Sequence, residues 1–346
     1  MTTPQTHRAR EILQAVGRAY PNAWQQVDLL QAARGREVPD WPRWCYLPLH
    51  AAYTITGFNT GERRVPIDRI NHVPVIGTLA AWRMGQQIIR YDQTLYESLI
   101  ETPIAAELPV ELLYRLPAWC LYVETPGLVW GNRVLHGFFV SLDWDERGHN
   151  ELRIFPDNLE KIESVLDFKS GILPCPLILG TGTVADALVR VADFGKQNAK
   201  KAGINLDLIG DANEQAELLS KKLSPLISLV LYLCSDTADW GQDSPKNPQM
   251  VKTKKGLRIF PASQPRVWDV GVRIGAEIRS AQSSSQELAE PAGYHAGPRP
   301  HLRRAHWHTY LTGAARRKRV LKWLHPILVK TDIPEDLPAT IRNVEG

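Results

Sequence analysis

Three apolar runs in the middle of the chain constrain the fold more than any other feature. AWCLYVET (118–125), RVLHGFFVSLDW (133–144) and ELRIFPD (151–157) are apolar, rich in aromatic residues, and bounded by Gly, Pro and Asn. Their spacing predicts consecutive strands, mostly antiparallel, joined by short turns. A sheet of this kind has to bury at least one face, and the flanking sequence supplies helices to cover it. The expected fold class is therefore α+β: a helical N-terminal part packed on a mostly antiparallel sheet with helices, and a basic C-terminal β-hairpin.

The helices are read from period and caps. THRAREILQAVGRAY (6–20) and NAWQQVDLLQAARG (22–35) predict two short helices split by Pro21, with Gly35 closing the second. The stripe Met84, Ile88, Tyr91, Leu95, Leu99 follows a 3–4 spacing and predicts one longer helix from about 75 to 99. PLILG (176–180) reads as a short buried strand feeding a helix that Thr183 caps, with Asp186 completing a capping box and Gly203 as its stop. Asn213–Leu223 predicts another helix, and Ser224 with Pro225 predicts the start of a separate one over SPLISLVLYLCSD, central to the core. RVWDVG (266–271) reads as a strand and residues 272–282 as a helix. The organisation expected is a helical N-terminal region (1–108), an α+β core (109–282), a linker (283–298), a basic hairpin completing or bordering the core (299–330), and a flexible tail (331–346).

Composition narrows the class. A chain of 346 residues with 44% hydrophobic and 23% charged residues is that of a soluble globular protein. The four Cys (45, 120, 175, 234) are widely spaced and form no C-x-x-C pair. Buried free thiols in a reducing compartment fit that spacing. The start carries no basic-then-apolar leader, and no run approaches the ~20 apolar residues of a membrane span. The expectation is a cytoplasmic protein that engages no membrane.

Charge is concentrated at one end. Between Pro291 and Thr331 there is no Asp or Glu, while nine of the 41 basic residues and five of the ten His fall there. The rest of the chain is consequently net acidic. HLRRAHWHTYL and RVLKWLHPILV alternate at period two across TGAARRK, which predicts a hairpin. Alternation sends Leu302, Arg304, His306, His308 and Tyr310 one way and His301, Arg303, Ala305, Trp307 and Thr309 the other. Three chemistries fit the first face. Two imidazoles with an arginine suit general acid–base cleavage of RNA without a metal, with His306, His308 and Arg304 as the catalytic candidates. The same residues suit an anion- or peptide-binding surface, with Arg303, Arg304, His306, Trp307, His308, Tyr310, Lys322 and Trp323 as the binding candidates. They also suit a solvated basic edge that discourages aggregation. A zinc site from His301, His306 and His308 would lack any nearby Cys or acid, and neither a metal nor a cofactor is expected.

Two other patterns compete with plain structural readings. Gly180-x-Gly182-x-x-Ala185 with Asp207 downstream matches a dinucleotide fingerprint on paper, but the preceding strands form a meander rather than β-α-β units. Asp143, Asp145 and Glu146 cluster at a hairpin end, where acids usually serve the turn. The chain contains no G-x-S-x-G, no P-loop and no H-E-x-x-H. The residues favour a binding or regulatory protein over an enzyme; if it is an enzyme, it is a ribonuclease.

Several segments together resemble a known family. LPAWCLYVET (116–125), SPLISLVLYLCSDTAD (224–239), PASQPRVWDVGVRIGAEIR (261–279), RPHLRRAHWHTYLTG (299–313) and KWLHPILV (322–329) occur in the same order in the type V-A anti-CRISPR proteins that block production of the type V-A (Cpf-type) effector nuclease. The resemblance covers roughly residues 108–330, with Ala305 standing at a glycine position of the family string. It implies a mobile-element protein of the bacterial cytoplasm that recognises the effector polypeptide, as a nascent chain, and lowers its expression through loss of the transcript. The partners it implies are that polypeptide and, at the site of translation, the ribosome or mRNA. Arg303, Arg304, His306, Trp307, His308 and Tyr310 are the matching motif residues, and the resemblance assigns them no catalytic role.

Overall fold

The three apolar runs are neighbouring strands of one six-stranded sheet in the computed structural model, which describes residues 6–61, 64–144, 150–167, 171, 174–191, 212–254, 256–287 and 301–329. In chain order the strands of the protein begin with β1 (Gln87–Tyr91), β2 (Cys120–Glu124), β3 (Val129–Trp130), β4 (Arg133–Val134), β5 (Gly137–Trp144), β6 (Asn150–Asp157) and β7 (Cys175–Leu179). There follow β8 (Val251–Thr253), β9 (Gly256–Arg258), β10 (Arg266–Val270), β11 (His301–Arg303), β12 (His306–Thr312), β13 (Lys318–Leu324) and β14 (Ile327–Val329). The sheet runs β10-β1-β2-β5-β6-β7, antiparallel from β2 to β7 and parallel across β10, β1 and β2. The fold is thus α+β with a mostly antiparallel sheet and a C-terminal β-hairpin, as the strand pattern predicts. β3–β4 and β8–β9 are small separate hairpins.

Helices cover both faces. They are α1 (Arg8–Ala19), α2 (Ala23–Ala33), α3 (Leu49–Thr60), α4 (His72–Gly85), α5 (Gln93–Ile100), α6 (helical over 184–191), α7 (Ala212–Cys234) and α8 (Val272–Glu287). Alternation along each strand sends side chains to two cores. Ile88, Tyr122, Phe139 and Phe155 pack under α1, α3 and α4, while Ile89, Val123, Phe138, Val140 and Ile154 pack against α5, α6 and α7. Among the described residues no helix is long and apolar enough to cross a membrane.

Two helix expectations are corrected. Residues 75–99 do not form one helix: α4 stops at Gly85, Gln86 turns left-handed (φ 45°), and QIIRY becomes β1. A new helix then starts because the Asp92 carboxylate accepts from the Thr94 and Leu95 N–H groups at 3.0 and 3.4 Å. The apparent stripe is divided between the cores, with Met84 and Ile88 on one side and Tyr91, Leu95 and Leu99 on the other. Likewise Pro225 does not begin a helix but lies inside α7. An interior proline costs about 3 kcal/mol, and burial of Leu223, Leu226, Ile227 and Val230, at about 1.5–3 kcal/mol each, outweighs it. Elsewhere the caps read correctly: Thr183 and Asp186 exchange bonds at 2.9 and 3.1 Å. Gly203, the expected stop for α6, lies outside the described residues.

The C-terminal ribbon is fastened to α7. Trp323, 5% exposed, meets Tyr232 edge-on at 6.0 Å and donates its indole N–H to Thr102 Oγ1 at 3.1 Å. Asp236, just past the end of α7, takes both main-chain groups of Leu321: its carboxylate accepts the Leu321 N–H at 2.9 Å and its own N–H donates to the Leu321 carbonyl at 3.1 Å. Arg115 closes the clasp, donating to Asp236 Oδ2 and to the Arg319 carbonyl at 2.9 and 2.8 Å. Truncating Trp323 to Ala is expected to cost about 3–5 kcal/mol in urea unfolding. Lys322→Ala, one residue away on the opposite face, should stay within about 0.5 kcal/mol.

Candidate functional site

Ladder register decides what the ribbon displays. β12 and β13 pair over seven rungs, from His306↔Leu324 to Thr312↔Lys318. Trp307 stands opposite Trp323, and both point into the core with Leu321, at 2%, 5% and 0% exposure. The alternate rungs therefore face solvent. His308 lies opposite Lys322 and Tyr310 opposite Val320. The His308 and Tyr310 rings meet edge-on at 4.3 Å, and Lys322 Nζ sits 5.2 Å from the Tyr310 ring centroid. At the base of the ribbon His306 Nδ1 contacts the Arg304 carbonyl at 3.3 Å, so Nδ1 carries the hydrogen, and Nε2 has no partner among the described residues.

The turn adds cations. Gly313, Ala315 and Arg316 all have positive φ (75°, 54° and 53°), which folds Arg316, Arg317, Lys318 and Arg319 outward at the tip. All four are exposed and, among the described residues, none is ion-paired. Of the candidate binding residues the structure brings together His308, Tyr310 and Lys322, places Arg304 and His306 beside them, and turns Trp307 and Trp323 inward as anchors. The side chains of His301 and Arg303 lie outside the described residues. Among the described residues no group of three or more His, Cys, Asp or Glu could hold a metal.

A second feature, which no motif in the chain signals, is a cleft of about 1040 Å³ at the carboxyl ends of β1 and β2, walled by the start of α1. His7 caps α1, accepting the Ala9 N–H on Nδ1 at 3.1 Å, which leaves Nε2–H to donate to Glu124 at 3.1 Å. Arg90 grips the same carboxylate with Nε and Nη2 at 2.7 and 3.1 Å. Behind them Arg8 forks onto buried Asp157 at 2.7 and 3.0 Å, and Tyr122 donates to Asp157 at 2.9 Å. These residues come from four separate stretches of the chain, around positions 7–8, 90, 122–124 and 157, so no local motif announces them.

The two other patterns resolve as structure. β7, which leads into the Gly180–Gly182 turn, is an edge strand antiparallel to β6, so the parallel β-α-β frame of a dinucleotide site is missing there. Asp207 lies outside the described residues. Asp143 is buried, pairs with Arg153 and accepts the Leu49 N–H at the start of α3 at 3.2 Å. Asp145 and Glu146 are outside the described residues.

Comparison with known proteins covers most of the chain. The sequence model of the AcrVA2-like family, described as the anti-CRISPR type V subtype A2 family, matches residues 89–331, more than half of the chain. A curated relative, Protein FinQ of Escherichia coli, is 27% identical over 281 residues, spanning 76% of this chain and 78% of that one. A solved structure titled "Crystal structure of AcrVA2" superposes with a TM-score of 0.63 at 19% identity, covering 94% of this chain and all of the other.

The cleft network has a pH signature. Burial tends to raise the Glu124 carboxyl, but hydrogen bonds from His7 and Arg90 outweigh it and bring it down to about 2. A free Glu titrates near about 4.3, so the folded state gains from this carboxylate above that pH and loses the gain as pH falls toward 2. Thermal unfolding of the wild type should therefore drop across roughly pH 4.3 to 2. Glu124→Gln should flatten that part of the profile, and an unchanged slope would contradict the assignment.

Proposed function

The chain belongs to the anti-CRISPR type V subtype A2 family, and on that premise we propose that it recognises the polypeptide of a type V-A CRISPR effector nuclease and lowers its expression. Recognition acts on the nascent chain in the cytoplasm of the bacterial host, at the ribosome, and the transcript being translated is lost. One observation carries the choice of surface. The matched span includes a ribbon whose inner face is locked into the core while His308, Tyr310 and Lys322 are held together outside it. An aromatic ring flanked by an imidazole and an ammonium is suited to peptide groups: the ring offers area at low entropic cost, and the two nitrogens bind carbonyl or carboxylate oxygens. The exposed cations at the tip add attraction for an acidic segment or for the RNA beside it.

A second reading, RNA binding or metal-independent cleavage, uses the same ribbon. His306 and His308 project from alternate positions of β12, with Arg304 adjacent and the His306 Nε2 without a partner among the described residues. Simple phosphate binding would weaken steeply with salt, a log-log slope of about 0.7 to 0.9 per phosphate. Cleavage would leave products in purified reactions without ribosomes and would end with His306→Ala.

Co-expression separates the readings. With a type V-A effector present, both effector protein and its transcript should fall. Unchanged levels of both exclude that effector as the target, whereas cleavage of the purified transcript by this protein alone would replace polypeptide recognition with nuclease activity.

A further inference from the structure

Among the described residues, the Tyr96 hydroxyl in the α1 cleft has no hydrogen-bond partner and Arg10 has no ion pair. Tyr96 is 2% exposed and lines the cleft, yet its hydroxyl has no hydrogen-bond partner among the described residues. Leaving such a group unmade costs about 1–3 kcal/mol. Burial also raises its pKa, so the phenol keeps its hydrogen and offers it to an acceptor. Arg10, half-buried on the same wall, has no carboxylate within ion-pairing distance among the described residues. Neither helix packing nor the Glu124 network accounts for the two.

The surroundings define what could satisfy them. Ile88, Tyr122, Pro126, Pro265 and Val267 give the cleft apolar walls, while Glu11 and Glu124 share its lining. Arg8 and Arg90 in the same lining are already engaged by Asp157 and Glu124, so among the described residues Arg10 is the uncommitted arginine of the cleft, which favours a single carboxylate over a run of phosphates. Val267 also belongs to β10, the edge of the sheet. Arg266 donates to the Gln86 carbonyl and Val270 accepts from Asp92, so Arg266, Trp268 and Val270 are wired to β1. By alternation Val267 and Asp269 turn their main-chain N–H and C=O outward, where an added strand could meet them.

We infer that this cleft is a docking site for an extended peptide carrying an acidic side chain, its backbone alongside β10 and its carboxylate held by Arg10 and the Tyr96 hydroxyl. The inference rests on the reading that the partner is a polypeptide, and it adds a contact surface separate from the ribbon. Its test uses the full chain and a phage-displayed library of random linear peptides. Enriched peptides should share an Asp or Glu at one position. Their affinity should fall about tenfold or more in Arg10→Gln and about fivefold in Tyr96→Phe, the scale of one charged and one neutral hydrogen bond. Tyr96→Phe removes only the hydroxyl, and its unfolding midpoint should match or exceed that of the wild type. Absence of enrichment, or peptides bound equally by both variants, overturns the site. An RNA oligonucleotide that displaces the peptides and loses affinity in the same variants would also overturn it. A fall in effector level without peptide enrichment would remove the cleft assignment alone. Enrichment with no fall in effector level would leave the cleft and remove the effector as partner.

Discussion

The attachment of the C-terminal ribbon to α7 is the constraint on which the exposed surface depends. Trp307 and Trp323 face each other across one rung, Leu321 fills the neighbouring space, and Asp236 holds both main-chain groups of Leu321. A two-stranded ribbon is marginally stable by itself. Here its inner face is buried in the same core as α5, α7 and the main sheet, so the outer residues inherit their positions from the packing behind them. Period-two alternation then determines the display: with Trp307 and Trp323 inside, His308, Tyr310 and Lys322 have to be outside.

Much of this was legible in the chain, and the failures have physical causes. β2, β5 and β6 were readable because each is a bounded apolar run with alternation strong enough to predict a sheet. The ribbon and the Thr183–Asp186 capping box were readable for equally local reasons. Residues 87–91 misled because a strand that sends alternate residues to two buried faces can mimic helical spacing over five positions. Only the left-handed turn at Gln86 and the Asp92 cap, both weak signals in a sequence, separate the readings. Pro225 misled in the opposite direction, since tertiary burial overrode the usual helix-start preference. Aromatic richness marked Trp307 and Trp323 as contact residues, whereas the structure turns them into anchors. The α1 cleft could not be read at all, because its walls are assembled by the fold from α1, β1, β2 and β10.

The cleft and the ribbon have different chemistry. The ribbon tip is an exposed cationic surface whose attraction acts at range and is weakened by salt. The cleft pairs Glu124 with His7 and Arg90 and, among the described residues, leaves the buried Tyr96 hydroxyl without a partner. On the proposed reading, the ribbon would capture a polypeptide partner and the cleft would discriminate it. The family match over residues 89–331 includes the ribbon, β2, β10 and β1 from Ile89 onward, while α1, which supplies Arg8 and Arg10, and His7 at its cap precede it. Discrimination in the cleft would thus draw on the part of the chain that the family match does not cover.

The central claim is that the outer face of the ribbon recognises while the inner face only holds it. The most direct measurement is effector protein level in cells expressing a chain with His308, Tyr310 and Lys322 all changed to Ala, alongside the unfolding midpoint of the purified variant. The account predicts a restored effector level with a midpoint close to that of the wild type. Continued depression of the effector by a folded triple variant would contradict it.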